Sequence, residues 1–96
     1  MPIELKQTCG ACPEQYDMLI DGKQVAYFRL RHGRFTVECP DTGGELVYSS
    51  SPAGDGAFEE HEREGELAKG QLAAIAWHYG LKYDVEADND HYSWFN

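Results

Sequence analysis

Basic residues are scarce in this chain. Its 96 residues include 8 Lys and Arg against 17 Asp and Glu, which gives a formal net charge of −9. The excess lies in the second part, because residues 1–40 hold five bases and five acids while residues 41–96 hold three bases and twelve acids. A surface of this sign repels nucleic acid and attracts positively charged partners. The composition therefore disfavours direct binding of nucleic acid.

Long apolar runs are also missing. No stretch is long enough to span a bilayer, and the chain does not open with a basic segment followed by an apolar one. Three cysteines are an odd number for a disulfide framework, which favours a reducing compartment. We therefore expect one soluble domain over residues 1–96, located in the cytoplasm and without a membrane partner.

Apolar and polar residues alternate from Val25 to Cys39, which predicts a tight β-hairpin with His32-Gly33 at its tip. Counting outward from the tip gives the pairs Arg31–Arg34, Leu30–Phe35, Phe28–Val37 and Ala26–Cys39. One face of this hairpin is apolar, and the other carries Tyr27, Arg29, Arg31, Arg34, Thr36 and Glu38. A slip of one residue would turn each side chain to the wrong face, so the register is well specified.

Further strands are predicted on both sides of the hairpin, at residues 3–8, 16–20 and 45–49. Asp21-Gly22-Lys23 is expected to form a three-residue loop, because an odd number aligns Met18 with the apolar face of the hairpin. From Phe58 to Tyr79 the spacing becomes helical, with one apolar stripe at Ala68, Leu72, Ile75, Ala76 and Tyr79. A last strand is expected at residues 81–87, followed by a tail at 88–96.

These elements predict an α+β fold in one domain. Strands over residues 3–49 form an antiparallel meander, and the sheet has five to six strands once the last one is counted. A loop at residues 50–57 leads to one helix over 58–79, packed on one face of the sheet. One helix covers only one face, so the face that bears Tyr27 and the arginines is expected to stay open.

Cys9 and Cys12 have the spacing of a zinc ligand pair, and Cys39 offers a third thiolate. The fourth ligand in that case would be His32, Asp41 or His61. Against zinc, no second cysteine pair follows, and Cys39 points into the core in the expected register, where free cysteine is common. We expect reduced structural cysteines and no cofactor, with zinc as the alternative.

Acidic residues are concentrated in two segments of the second part. The first contains Glu59, Glu60, Glu62, Glu64 and Glu66, and the second contains Asp84, Glu86, Asp88 and Asp90. Neither has the spacing of a metal-binding or paired-carboxylate catalytic motif. Asp41-Thr42-Gly43 has the letters of an aspartic-protease signature, but Pro40 before it and Gly44 after it indicate an ordinary surface turn. No catalytic residue is assigned.

Tyr27, Arg29, Arg31 and Arg34 form a second candidate surface. Cations beside an exposed aromatic residue on a sheet are a known platform for RNA. The strongly negative whole-molecule charge opposes the approach of a polyanion. We therefore rank pairing of these arginines with acids of the same chain, or of a second copy, above nucleic acid.

Three short motifs carry a resemblance to known proteins. They are Thr8–Tyr16 (TCGACPEQY), Tyr27–Gly33 (YFRLRHG) and Gly54–Gly56 (GDG). With them the chain resembles small uncharacterised proteins of phages, prophages and bacteria, over roughly its first sixty residues. The resemblance implies a phage-linked setting, in which a small acidic domain without an active site is often an inhibitor of a host defence complex, such as an anti-CRISPR protein.

The sequence thus leads us to expect a non-enzymatic acidic interaction protein that mimics the charge of nucleic acid. Its expected partner is a basic protein surface, such as that of a nucleoprotein effector complex in the host cytoplasm. The expected contacts are the acids of residues 59–66 and 84–90, together with Trp94. The alternative is a zinc-stabilised module that binds nucleic acid through Tyr27, Arg29, Arg31 and Arg34.

Overall fold

Each strand of the sheet pairs with the strand that follows it in the chain. A computed structural model describes residues 2–11 and 13–81. The sheet is antiparallel and its order is β1-β2-β3-β4-β5, with β1 at Ile3–Gly10, β2 at Glu14–Ile20, β3 at Lys23–Arg31, β4 at Arg34–Cys39 and β5 at Glu45–Ser50. Helix α1 (Glu60–His78) packs against β3, β4 and β5. The α+β meander with one helix on one face is therefore confirmed. The last strand and the tail expected over 81–87 and 88–96 lie outside the described residues, apart from Leu81.

The β3–β4 hairpin has the predicted register. Arg31 pairs with Arg34, Leu30 with Phe35 and Phe28 with Val37. The two tip residues both have positive φ, 54° at His32 and 74° at Gly33. Two consecutive positive φ angles give a turn whose twist matches that of the flanking strands. The hairpin thus fixes which side chains of β3 and β4 face the core.

The β2–β3 connection differs from the expected three-residue loop. Only Asp21 and Gly22 form the turn, with φ of 54° and 81°, and Ile20 pairs with Lys23. The extra residue lies inside β3 instead, because the register shifts between the pairs Met18–Ala26 and Leu19–Gln24 and leaves Val25 as a bulge. The bulge supplies the one extra residue that a three-residue loop would have supplied, so the apolar side chains of β2 and β3 again point to the same face. Met18 therefore still faces the core with Ala26.

The core lies between the inner face of the sheet and α1. Phe35 is at its centre, with ring centroids 5.8 Å from Phe28, 5.8 Å from Tyr48 and 5.0 Å from Phe58. The two rings at Tyr48 and Phe58 meet Phe35 edge to face, the arrangement that aromatic quadrupoles prefer. Phe58 comes from the segment just before α1, so this cluster joins the sheet to the start of the helix.

The buried residues of helix α1 are its smallest, and only one of them belongs to the stripe that the spacing suggests. Leu67, Ile75 and Trp77 are partly buried beside them. Gly70, Ala73, Ala74 and Ala76 are the buried residues of α1. A Cβ on Gly70 would lie 2.9 Å from Phe28 Cε2 and 3.0 Å from Val37 Cγ2, so the helix axis comes close to the bulky sheet side chains. Of the stripe, only Ala76 is buried and Ile75 is partly buried, while the outward-facing members are Ala68, Leu72 and Tyr79. No helix within residues 2–11 and 13–81 has the length and apolar character needed to cross a membrane.

Candidate functional site

The start of α1 is joined to β2 by a buried ionic cluster. The Glu14 side chain is fully buried. Its carboxylate accepts hydrogen bonds from Arg63 Nε at 2.9 Å, from Arg63 Nη2 at 3.2 Å and from the Phe58 backbone N–H at 2.9 Å. Tyr16 Oη donates a further short hydrogen bond to Oε2. Four donors satisfy both carboxylate oxygens, which is what a buried charge requires.

These contacts set the protonation of the cluster. Burial alone raises the pKa of Glu14, but the hydrogen bonds from Arg63, Tyr16 and Phe58 outweigh it and hold that pKa below the ordinary value of 4.5. Burial and the hydrogen bond to Glu14 raise the pKa of Tyr16 to about 12. Glu14 is thus ionised and Tyr16 neutral at pH 7. Because all four contacts are internal, the cluster positions α1 on the sheet.

The segments around Glu14, Gly33 and Gly54–Gly56, which belong to the three short sequence motifs, meet beside this cluster. The Glu14 N–H donates to the Gly56 carbonyl at 2.8 Å, and the Gly33 N–H donates to the Asp55 carbonyl at 2.8 Å. A Cβ on Gly54 would lie 1.9 Å from the Ala57 carbonyl oxygen, so only glycine fits this loop. Backbone hydrogen bonds therefore tie together segments that are far apart in the sequence. In this chain the motifs have a structural role.

A shallow cleft opens where these segments meet. Its volume is about 550 Å³, and it is lined by Pro13, Gln15, Arg31, His32, Asp55 and Gly56. Arg31, His32 and Asp55 are exposed. The cleft offers a guanidinium group from Arg31 and a carboxylate from Asp55. The Glu14–Gly56 and Gly33–Asp55 hydrogen bonds hold the backbone of the cleft in place.

The predicted arginine surface exists as one contiguous patch. Tyr27, Arg29 and Arg31 lie at alternate positions of β3, and Arg34 is directly opposite Arg31 on β4, all on the sheet face away from α1. Tyr27 is half-buried, and its Oη donates to Gln15 Oε1 at 2.8 Å. In the part of the chain that the structure describes, the three guanidinium groups make no ion pair. The expected pairing with acids of the same chain is not seen there.

The acids of residues 59–66 do not form one surface. Glu62 accepts backbone hydrogen bonds from Ala53, Gly54 and Glu59, each at 2.9 Å, so it closes the loop onto the helix start. Burial acts against ionisation, but these donors hold the pKa of Glu62 below its usual value. Glu66 accepts from Tyr48 Oη at 3.2 Å and from Ser50 Oγ at 2.7 Å. Glu62 and Glu66 therefore stabilise contacts of α1 with the preceding loop and with β5.

The remaining helix acids face outward. Glu60 forms an ion pair with Arg63 and its side chain is 91% exposed, and Glu59 and Glu64 are exposed. Along the same side of α1 follow the exposed Ala68 and then Leu72, which is 47% exposed. We call this surface the outer helix face, comprising Glu59, Glu60, Glu64, Ala68 and Leu72. It is acidic at its start and apolar further along. The other expected contact residues, Asp84, Glu86, Asp88, Asp90 and Trp94, lie outside the described residues.

The two described cysteines do not converge. Cys9 is opposite Gln15 near one end of the sheet, on the face away from α1, whereas Cys39 is buried in the core under α1. Burial, with a smaller contribution from Glu45, raises the pKa of Cys39 to about 12. Cys12, the other member of the C-x-x-C pair, is not among the described residues. No group of three His, Cys, Asp or Glu side chains suited to a metal ion is found among the residues that are described.

No protein-family model, curated protein or solved structure matches this chain.

Sequence reasoning missed Glu14, Arg63 and the outward position of Leu72. Two signals were available for the first pair. Glu14 has the same parity as the inward-facing Tyr16, Met18 and Ile20, and Arg63 is the single base within the acidic run. The position of Leu72 had no such signal, because the residues that the helix buries are glycine and alanine, with Leu67, Ile75 and Trp77 packed beside them.

Proposed function

We propose that this chain is a non-catalytic binding protein whose outer helix face docks onto a positively charged protein surface. One observation carries the proposal: α1 turns Glu60 and Glu64 outward in line with Leu72, while the residues that it buries are glycine and alanine. Exposed apolar side chains rimmed by charge are typical of protein interaction sites. The acids would steer the encounter, and Leu72 would supply buried apolar area at contact.

The class of partner follows from the sign of the charge. The whole chain carries −9, so a partner with a basic surface is favoured at long range. The resemblance to phage and prophage proteins narrows this class to the basic nucleic-acid channel of a host defence complex. Binding there would displace nucleic acid by competing for the same lysine and arginine side chains.

Capture from a bacterial lysate by the immobilised chain tests the proposal. Glu64→Lys and Leu72→Ser should each weaken retention of the same partner at least tenfold. Glu4→Lys, an equal charge change on the exposed edge strand β1, is the matched control and should retain it. The captured protein must bind nucleic acid by itself and must release it when the wild-type chain is added in excess.

Two outcomes would reject the docking surface. One is a partner that Glu64→Lys and Leu72→Ser retain as well as the wild type does. The other is a captured partner whose nucleic-acid binding is unchanged by the chain, which would remove the inhibitory mechanism. Melting temperatures of all three variants show whether any loss reflects unfolding.

A further inference from the structure

The sheet face away from α1 is electrically polarised along its strands. At the hairpin end lie Arg29, Arg31 and Arg34, which we call the arginine end. The opposite part carries Asp17, Glu38 and Asp41, which we call the acidic end. Asp17 and Glu38 pair with Tyr27 on either side, and Gln24 Nε2 donates to Asp17 Oδ1 at 3.2 Å and to Asp41 Oδ1 at 3.1 Å. Lys6 of β1 pairs with Asp17 and adds one cation beside the acidic end. The arginine end therefore carries three positive charges, and the acidic end carries three negative charges next to one lysine.

Tyr27 lies where the two ends meet. Burial raises its pKa, and the charged groups that act on it further are Arg29, Glu38, Asp17 and Arg31, drawn from both ends. Along β3, Arg29 is two residues from the row of Asp17, Tyr27 and Glu38, about 7 Å at the usual rise of a strand, and Arg31 is four residues from it. The two ends are thus adjacent along the strands, with the arginines on the hairpin side of Tyr27.

We propose that this face binds a second copy of the chain, in a two-fold dimer whose axis runs across the strands. Such an axis places the arginine end of each protomer over the acidic end of its partner. An axis along the strands would place arginine on arginine and acid on acid. Charge complementarity therefore selects one of the two face-to-face arrangements.

The area of this sheet face determines how much of it must be buried in the dimer interface. Five strands about 4.8 Å apart and about seven residues long cover on the order of 550 Å² in projection. A standard interface buries about 800 Å² per partner, so both ends and the centre are needed. The axis must lie between the rows of Tyr27 and Arg29, because an axis through the Tyr27 row would place Asp17 and Glu38 over their own counterparts. Arg29 then lies over the half-buried tyrosine of the other copy, between the two acids that flank it. Helix α1 lies on the other side of the sheet, so the outer helix face would remain exposed in the dimer.

Charge reversal of each end provides the test. One variant is Arg29→Glu, Arg31→Glu and Arg34→Glu, and the other is Asp17→Lys, Glu38→Lys and Asp41→Lys. Sedimentation equilibrium of the wild type should give twice the chain mass of 10.8 kDa. Each variant alone should have a dissociation constant at least 100-fold higher, because like charges then face each other across the axis. An equimolar mixture of the two should recover the dimer, since both pairs of ends are again complementary.

Several results would overturn this assignment. One is a wild-type protein that is still monomeric at a concentration of about 1 mM, which corresponds to a weak affinity. The others are charge-reversed variants that remain dimeric and an equimolar mixture that stays monomeric. If the triple acid variant does not fold, Asp17→Lys with Glu38→Lys takes its place. A labelled single-stranded RNA that binds the wild-type monomer and is lost on reversal of the arginine end would assign the face to nucleic acid instead. Glu64→Lys should leave the dimer intact, so this test is independent of the proposed function.

Discussion

Arg63 and Glu14 are joined by two N–H···O hydrogen bonds of 2.9 and 3.2 Å, across 49 positions of the sequence. This pair connects the first turns of α1 to β2. The Glu14 side chain is completely buried, whereas that of Arg63 is 31% exposed. The carboxylate therefore depends on the guanidinium far more than the guanidinium depends on it.

Arg63→Leu is expected to lower the free energy of unfolding by about 3 kcal/mol, because it leaves a buried carboxylate without its cation. Urea unfolding followed by circular dichroism measures the loss. Lys23→Leu, which removes an exposed cation, is the control and should change stability by less than about 0.5 kcal/mol. Glu14→Leu combined with Arg63→Leu should recover part of the loss, although Tyr16 Oη and the Phe58 N–H then lack their acceptor. An Arg63→Leu protein as stable as wild type would show that the pair is dispensable.

Stability should fall in acid through Glu14 and Glu62. The pKa of each is held below 4.5 in the folded protein, so each stabilises fully above the unfolded-state value and loses its contribution as the pH falls through the folded value. In Glu14→Gln the change in unfolding free energy between about pH 5 and pH 3 should be smaller than in the wild type. Equal pH dependence of the two proteins would contradict the low pKa of Glu14.

The two glycines of α1 should respond to alanine with opposite signs. At Gly65 a Cβ meets nothing within 4 Å, so Gly65→Ala should stabilise the protein by about 1 kcal/mol through helix propensity. At Gly70 the new Cβ would lie 2.9 Å from Phe28 Cε2, and overpacking by about 2 kcal/mol should outweigh the same propensity gain. Thermal unfolding of both variants gives the comparison. Stabilisation by Gly70→Ala would mean that the helix stands further from the sheet.

The cysteines should differ in their reactivity with iodoacetamide. Cys39 is 1% exposed, and burial raises its pKa to about 12, so its thiolate is scarce and sterically shielded. Cys9 is half-buried and should be modified in the folded protein. Peptide mapping of a Cys12→Ser variant reads the two sites separately, with a denatured sample as the fully labelled control. Equal rates at Cys9 and Cys39 in the native protein would be inconsistent with the buried position of Cys39.

The sequence predicted those parts of the fold that depend on local alternation and turn chemistry. The pairs Leu30–Phe35 and Phe28–Val37 followed from counting outward from Gly33, because a hairpin with a two-residue turn has one register. The same logic failed at β2–β3. A bulge at Val25 and a three-residue loop both bring the apolar side chains of β2 and β3 to the same face. The apolar pattern specified that face and nothing about where the extra residue lies.

Contacts between distant segments were less accessible. The spacing of Ala68, Leu72 and Ile75 correctly indicated a helix, yet which side meets the sheet depends on the shape of the sheet surface. Phe28 and Phe35 fill the space there, and only Gly70 and the alanines allow close approach. Likewise, the acidic run gave no sign that Glu62 and Glu66 are held by residues of the loop and β5.

The chain-order arrangement of the sheet has a kinetic consequence. Strands that pair with their sequence neighbours form with little loss of chain entropy, whereas bonding of Arg63 to Glu14 must close a long segment. We infer that the meander assembles early and that the helix is fastened to it late. Arg63→Leu should then act mainly by accelerating unfolding, which stopped-flow measurements on both arms of the chevron would reveal. A variant that slowed refolding instead would place this contact in the nucleus.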